Sequence, residues 1–197
     1  MAEPPLDPLG LTLDFTSVGP DAGGVGVVAV GVARGLIDTG PAFDCVVSSA
    51  QLEDWRAQLP ELGARLRPVN VALAATSSWQ QTLRRVLPKS TLSQRAISVV
   101  RSVRARSTRS ALGEGLTWLP FHRVPLAASR GVVTVHDLRV FEPELASPMD
   151  QRIIESNVRE ARAVVCSWPH PYQALLSRFP EARGKAFVIP LPVLNPG

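Results

Sequence analysis

Short apolar runs alternate along this chain with stretches in which apolar positions recur every three or four residues. The runs, rich in Val, Leu and Thr and bounded by Gly, Pro, Asp or Ser, read as strands near 11–18, 42–48, 68–74, 115–119, 131–136, 162–167 and 186–191. Helical spacing falls near 24–38, 50–58, 90–107, 147–161 and 170–179. The clearest helix start is "SPMD". Ser147 can cap, Pro148 takes the first helical position, and Asp150 can close a capping box at the positive end of the dipole. Met149, Ile153 and Ile154 continue as an apolar stripe. Strands alternating with helices predict an α/β fold, a Rossmann-like, mostly parallel sheet flanked by helices.

One segment resists a single assignment. "LDFTSVGPDAGGVGVVAVGVARGL", Leu13 to Leu36, fits a β-hairpin joined at "GPDAGG", since its β-branched residues favour strands. Gly24, Gly26 and Ala29 also spell a dinucleotide-type G-x-G-x-x-A, although the next strand runs into "VVSSAQ" without the acidic residue that would hold a ribose. A third arrangement is strand, loop and helix, with Gly23 and Gly24 letting the backbone approach a diphosphate and Gly31 and Gly35 leaving a smooth helix face for the sheet. A second polar signal lies at "GVVTVHDLRVFEPE", where His136 and Asp137 follow an apolar strand. In an open α/β sheet such strand ends line the ligand crevice. The plainer roles are a structural hydrogen bond for His136 and a turn or cap for Asp137.

Composition narrows the classes. With 197 residues, 45% of them hydrophobic, the chain suits one α/β domain, here residues 11–191, with an N-terminal tail at 1–10 and the start of a linker at 192–197. The longest apolar candidate, Val25 to Ile37, is interrupted by Arg34 and falls short of the roughly 20 residues that span a bilayer. "MAEPPLDPLG" has no basic region ahead of an apolar core, so a cytoplasmic location is expected. Cys45 and Cys166 each sit in an apolar run and are expected as buried free thiols. Cys166 and His170 share the spacing of a zinc pair, but there is no second pair, and no metal is expected.

The net charge of +4 is unevenly placed. Arg84, Arg85, Lys89, Arg95, Arg101, Arg104, Arg106 and Arg109 fall in one stretch without an acidic residue before Glu114. It reads either as a solvated helix surface or as a face for anionic lipid or a phosphorylated ligand, with Arg101, Arg104 and Arg106 as its lipid-facing residues. Nucleic acid is not expected as a partner, because the stretch lacks the interleaved aromatics that stack bases. "LPKSTLSQ" around Pro88 reads as an exposed loop.

Four landmarks in order, "GGVGVVAVGVARGL", "GLTWLPFHRVPL", "GVVTVHDLRVFEPE" and "EARAVVCSWPHPYQALLSRFPEARGKAFVIPLPV", give a chain that resembles the N-terminal domain of GT-B glycosyltransferases of family 4. The sequence departs from many members in carrying Val27 and Val28 where an aromatic or arginine-bearing helix follows the glycine loop. The resemblance implies the acceptor-side half of a retaining enzyme that transfers a sugar from a nucleotide-sugar donor to a sugar or lipid-linked acceptor. The nucleotide-sugar would be a co-substrate, no cofactor would be needed, and a donor-binding C-terminal domain would lie outside this chain. By position, Gly23 and Gly24 would approach the donor diphosphate, His136 would sit beside the transferred sugar as the catalytic-site residue, and Asp137 and Ser167 would line the site. Two other classes stay open: a non-catalytic module of the same fold, and a dinucleotide-binding oxidoreductase domain.

Overall fold

Parallel strands need crossover connections, and their strands, covered on both faces, read as continuous apolar runs such as "CVV", "VVTV" and "AVVC". A computed structural model, which describes residues 10–70, 112, 114–126 and 130–190, arranges these runs accordingly. The strands are β1 (Leu11–Phe15), β2 (Phe43–Ser48), β3 (Leu66–Val69), β4 (Leu116–Leu119), β5 (Gly131–Val135), β6 (Ala163–Cys166) and β7 (Ala186–Val188). They form one seven-stranded sheet in the order β3-β2-β1-β4-β5-β6-β7, with every pair parallel. The chain winds outward from β1 to β3 and then re-enters beside β1 as β4, so the direction of winding reverses between β1 and β4. In open α/β sheets that reversal opens a crevice at the carboxyl ends of the strands.

The α-helices among the described residues are α1 (Gly23–Thr39), α2 (Leu52–Gln58), α3 (Pro148–Glu160) and α4 (Pro169–Arg178). Two cores occupy opposite faces of the sheet. Leu13 and Phe15 of β1, with Cys45 and Val47 of β2, pack under Val28, Ala29 and Ala33 of α1 and Trp55 of α2. Phe15 stacks on Trp55 at 4.5 Å and meets Trp118 edge-on at 6.2 Å. One residue beyond Trp118, the side chain direction alternates, and Leu119 joins the second core with Val133, Val135, Val164 and Cys166, beneath Ile154 and Val158 of α3 and Leu175 of α4.

Local chemistry sets the element ends. The first strand stops at Phe15, earlier than its apolar run predicts, because the Asp14 carboxylate accepts the Thr16 N–H at 3.0 Å and the Thr16 hydroxyl at 2.6 Å, and the Val18 N–H turns back to the Phe15 carbonyl. α1 is a single 17-residue helix, which overturns the hairpin arrangement. It ends on Gly40, whose left-handed φ of 81° lets its N–H reach the Leu36 carbonyl. α3 starts as expected, with the Ser147 hydroxyl accepting the Asp150 N–H at 3.4 Å. At its other end the Lys185 ammonium donates to the carbonyls of Arg159 and Ala161, both at 2.8 Å.

Of the two glycines of α1 expected to face the sheet, Gly31 is buried as expected and Gly35 is not. Gly35 is exposed with open space around its Cβ position, so it does not pack on the sheet. The close approach is at Gly26, where a Cβ would come within 2.5 Å of the Pro20 carbonyl oxygen and 2.8 Å of that of Gly19. Cys45 and Cys166 are free and buried, and burial pushes their thiols up to about 12 and about 11. The expected helix near 90–107, the loop around Pro88, the basic stretch, the tail at 1–9 and the linker from 192 lie outside the described residues. Among the described residues, no helix is long and apolar enough to cross a membrane.

Candidate functional site

The carboxyl edge of the sheet gathers two kinds of polar structure. After β1, the loop from Thr16 to Ala22 leads into α1 through Gly23, at φ +59°, and Gly24. Both glycines are exposed, and neither Cβ position has a neighbour within 4 Å. The helix carries no side-chain cap and no acidic residue in its first turn. The Gly23 N–H is already taken by the Asp21 carbonyl at 2.7 Å, so the amides that this uncapped, glycine-opened N-terminus offers to an anion begin at Gly24.

After β4, β5 and β6 the structure is built from side chains. His136 directly follows β5, and its Nε2 lies 2.8 Å from the Pro120 carbonyl oxygen. A carbonyl only accepts, so Nε2 carries the proton and Nδ1 accepts the Ser167 hydroxyl at 3.0 Å. Ser167, next after β6, is buried, so His136 joins the ends of three adjacent strands. Burial lowers the His136 pKa from its ordinary value and outweighs the opposing pulls of the Pro120 carbonyl and Asp137, leaving a neutral ring.

His122 lies beneath. Its Nδ1 accepts the His136 backbone N–H at 3.4 Å, and the two rings are 6.1 Å apart. Its Nε2 is buried without a hydrogen-bond partner among the described residues. Burial holds its pKa down at about 4. Asp137 points elsewhere: one of its oxygens accepts an Arg123 guanidinium N–H at 2.9 Å and the Arg139 backbone N–H at 3.0 Å. Burial works against the Asp137 charge, but those two donors outweigh it and hold the carboxyl below the usual range.

Of the residues predicted from sequence, His136 and Ser167 are therefore in direct contact, and Asp137 is engaged by an arginine. Gly23 and Gly24 lie at the same edge, on the helix that follows β1, with β4 standing between β1 and β5. Arg101, Arg104 and Arg106 lie outside the described residues. Cys166 points into the second core while His170 is exposed on α4. Among the described residues no group of three or more His, Cys, Asp or Glu side chains could hold a metal ion.

Three residues of the edge were not singled out from sequence: His122, Arg123 and Asn157. The Asn157 amide, buried in α3, donates to the carbonyls of His122 at 2.9 Å and Val124 at 2.7 Å and accepts the Leu126 N–H at 2.9 Å. Its signal was available, as a polar residue lying on the buried stripe with Ile154 and Val158. The chain matches no protein-family model, and no curated protein matches it in sequence.

Proposed function

We propose that this chain is the acceptor-side half of a retaining GT-B glycosyltransferase. The observation that carries the reading is the placing, at one carboxyl edge and across the reversal between β1 and β4, of a glycine-opened helix start and a set of polar strand ends. In this reading the Gly24 amide meets the donor diphosphate, and Gly23, whose own N–H is held by the Asp21 carbonyl, leaves the approach clear of a side chain. His136 borders the transferred sugar as a neutral ring. Both of its nitrogens already hold partners, which suits a contact that shapes the site better than one that shuttles protons. The reaction asks for little more, since transfer with retention is driven by stabilising the departing nucleoside diphosphate. The acceptor is a sugar or a lipid-linked sugar. The basic stretch with Arg101, Arg104 and Arg106 would hold the protein against anionic lipid at the cytoplasmic membrane face.

The strand order around β1 is also that of dinucleotide-binding domains, which favours an oxidoreductase as the second reading. Against it, β2 ends on Ser48, where such domains carry a ribose-binding carboxylate. Calorimetric titration of the protein with nucleoside-diphosphate sugars and with NAD separates the two. The glycosyltransferase reading expects sugar nucleotides to bind in preference to NAD, with binding weakened by Gly24→Val. Preference for NAD would overturn it, and no binding of either would favour a non-catalytic module.

A further inference from the structure

We propose that Arg123 is an oxyanion-binding residue of the crevice, presented by a loop that Asn157 and His136 hold in place. The inference stands on the loop's own geometry and does not require glycosyl transfer. The loop Pro120–Leu126 joins no strand ladder, yet it is tied at both ends. His136 Nε2–H donates to the Pro120 carbonyl, and the Asn157 amide holds the carbonyls of His122 and Val124 and the N–H of Leu126. Arg123 therefore sits between two fixed carbonyls, with its backbone immobilised on either side.

The side chain is held as well. Its Nη2 donates to Asp137 at 2.9 Å, and the pair is partly accessible, with side-chain exposures of 31% for Arg123 and 41% for Asp137. Asp137 engages it through the one oxygen that also takes the Arg139 N–H. The carboxylate thus orients the guanidinium without closing on it in the two-bond pairing that would occupy its fork. The Arg123 Nε–H is buried without a partner among the described residues. Being buried, Nε is closed to a ligand from the crevice, which would meet the Nη end of the guanidinium.

The position completes the argument. Arg123 lies just beyond the carboxyl end of β4, the strand that borders the reversal of winding, where open α/β sheets take their ligands. Both histidines beside it are neutral through burial, so it is the fixed positive charge of this loop. A pre-oriented guanidinium fork matches phosphate oxygens in a way that a lysine does not. The ligand chemistry is a phosphate-type oxyanion, from either a nucleoside diphosphate or a phosphorylated acceptor.

Calorimetric titrations at low ionic strength with inorganic pyrophosphate, uridine diphosphate and glucose 6-phosphate test this on the full chain. At least one probe should bind, and Arg123→Gln should weaken it about tenfold or more, the loss expected for one charged hydrogen-bonding group. Arg123→Lys keeps the charge but not the fork and should fall between. Arg183→Gln, an exposed arginine in the turn before β7, should bind as wild type. Asn157→Asp keeps the shape of the amide and loses its two donated bonds, so it should weaken binding severalfold. Uridine diphosphate binding best would place the donor diphosphate here, and glucose 6-phosphate binding best would place an acceptor phosphate. Should Arg123→Gln fail to fold by circular dichroism, Arg123→Lys carries the test. No binding of any probe by the wild type, or equal affinity in the wild type and a folded Arg123 variant, overturns the proposal.

Discussion

Two regions share the carboxyl edge of this sheet and are made in opposite ways. The entry to α1, Asp21 to Gly24, is exposed, and nothing lies within 4 Å of a Cβ at Gly23 or Gly24. The ends of β4, β5 and β6 are tied by side chains, with His136, Ser167, Asn157 and Asp137 all engaged inside the protein. The contrast teaches that a polar residue at the ligand edge of an α/β sheet need not be a ligand contact. Here several of them hold the frame, whereas nothing lies within 4 Å of a Cβ at Gly23 or Gly24 and the Arg123 guanidinium is held by a single hydrogen bond to Asp137.

Replacing glycines within the first region gives the sharpest test of that difference. Gly26→Val should have the largest effect, destabilising the protein by about 3 kcal/mol or more, because its side chain would meet the backbone carbonyls of Gly19 and Pro20 and neither can move freely. A thermal melt showing near-native stability would mean that the loop is not packed against the helix as described.

In the second region, Asn157→Leu should come close behind, at about 3 kcal/mol. It strands the carbonyls of His122 and Val124 and the N–H of Leu126 inside the protein. Urea denaturation measures it. A loss no larger than that of an exposed substitution would remove the distinction between a tied loop and an open one.

Next comes pH. The folded pKa of His122 is lowered below its ordinary value of 6.5 to about 4, so in that window the unfolded chain binds more protons than the folded one. Stability from this group is complete above about pH 6.5 and falls as pH drops towards 4, by on the order of 2–3 kcal/mol. His136, lowered in the same direction, adds to the trend. Urea midpoints at pH 7 and 4.5 should therefore differ more for the wild type than for His122→Gln, and equal slopes would show that His122 is not buried neutral.

The smallest effect on stability should come from Gly24→Val, within about 0.5 kcal/mol, since the new side chain enters open space and Gly24 does not have the positive φ that Gly23 has. The lesion there should appear in anion binding alone. A large drop in melting temperature would place Gly24 in the packed frame with Gly26.

Much of the fold was legible along the chain. Six of the expected strands match with small shifts at their ends, β3 begins two residues ahead of the run read at 68–74, of which 71–74 lie outside the described residues, and the Ser147 cap of α3 is where the sequence places it. At the candidate site, the glycine loop and the pair at His136 and Asp137 stand out in the sequence because apolar runs end on them, and the structure sets both at the carboxyl edge of the sheet. Arg123 and Asn157 were not, because neither differs from an ordinary loop arginine or helix asparagine until β4, β5 and α3 are brought side by side. Gly26 stands out in the sequence only as part of a G-x-G-x-x-A match, and its close approach to the Gly19 and Pro20 carbonyls is not visible there, since spacing along a helix cannot say which face a preceding loop folds back upon.

The sequence by itself determined the alternation of strand and helix, the α/β class and the burial of Cys45 and Cys166, because each follows from the local periodicity of apolar residues and the area they remove from water. Only the tertiary structure decided which groups at the carboxyl edge are engaged and which are left to act. His136 meets Ser167 across 31 positions of chain, and Asn157 meets His122 across 35. Contacts at that separation depend on the order and register of the strands, which set in space what no local pattern encodes.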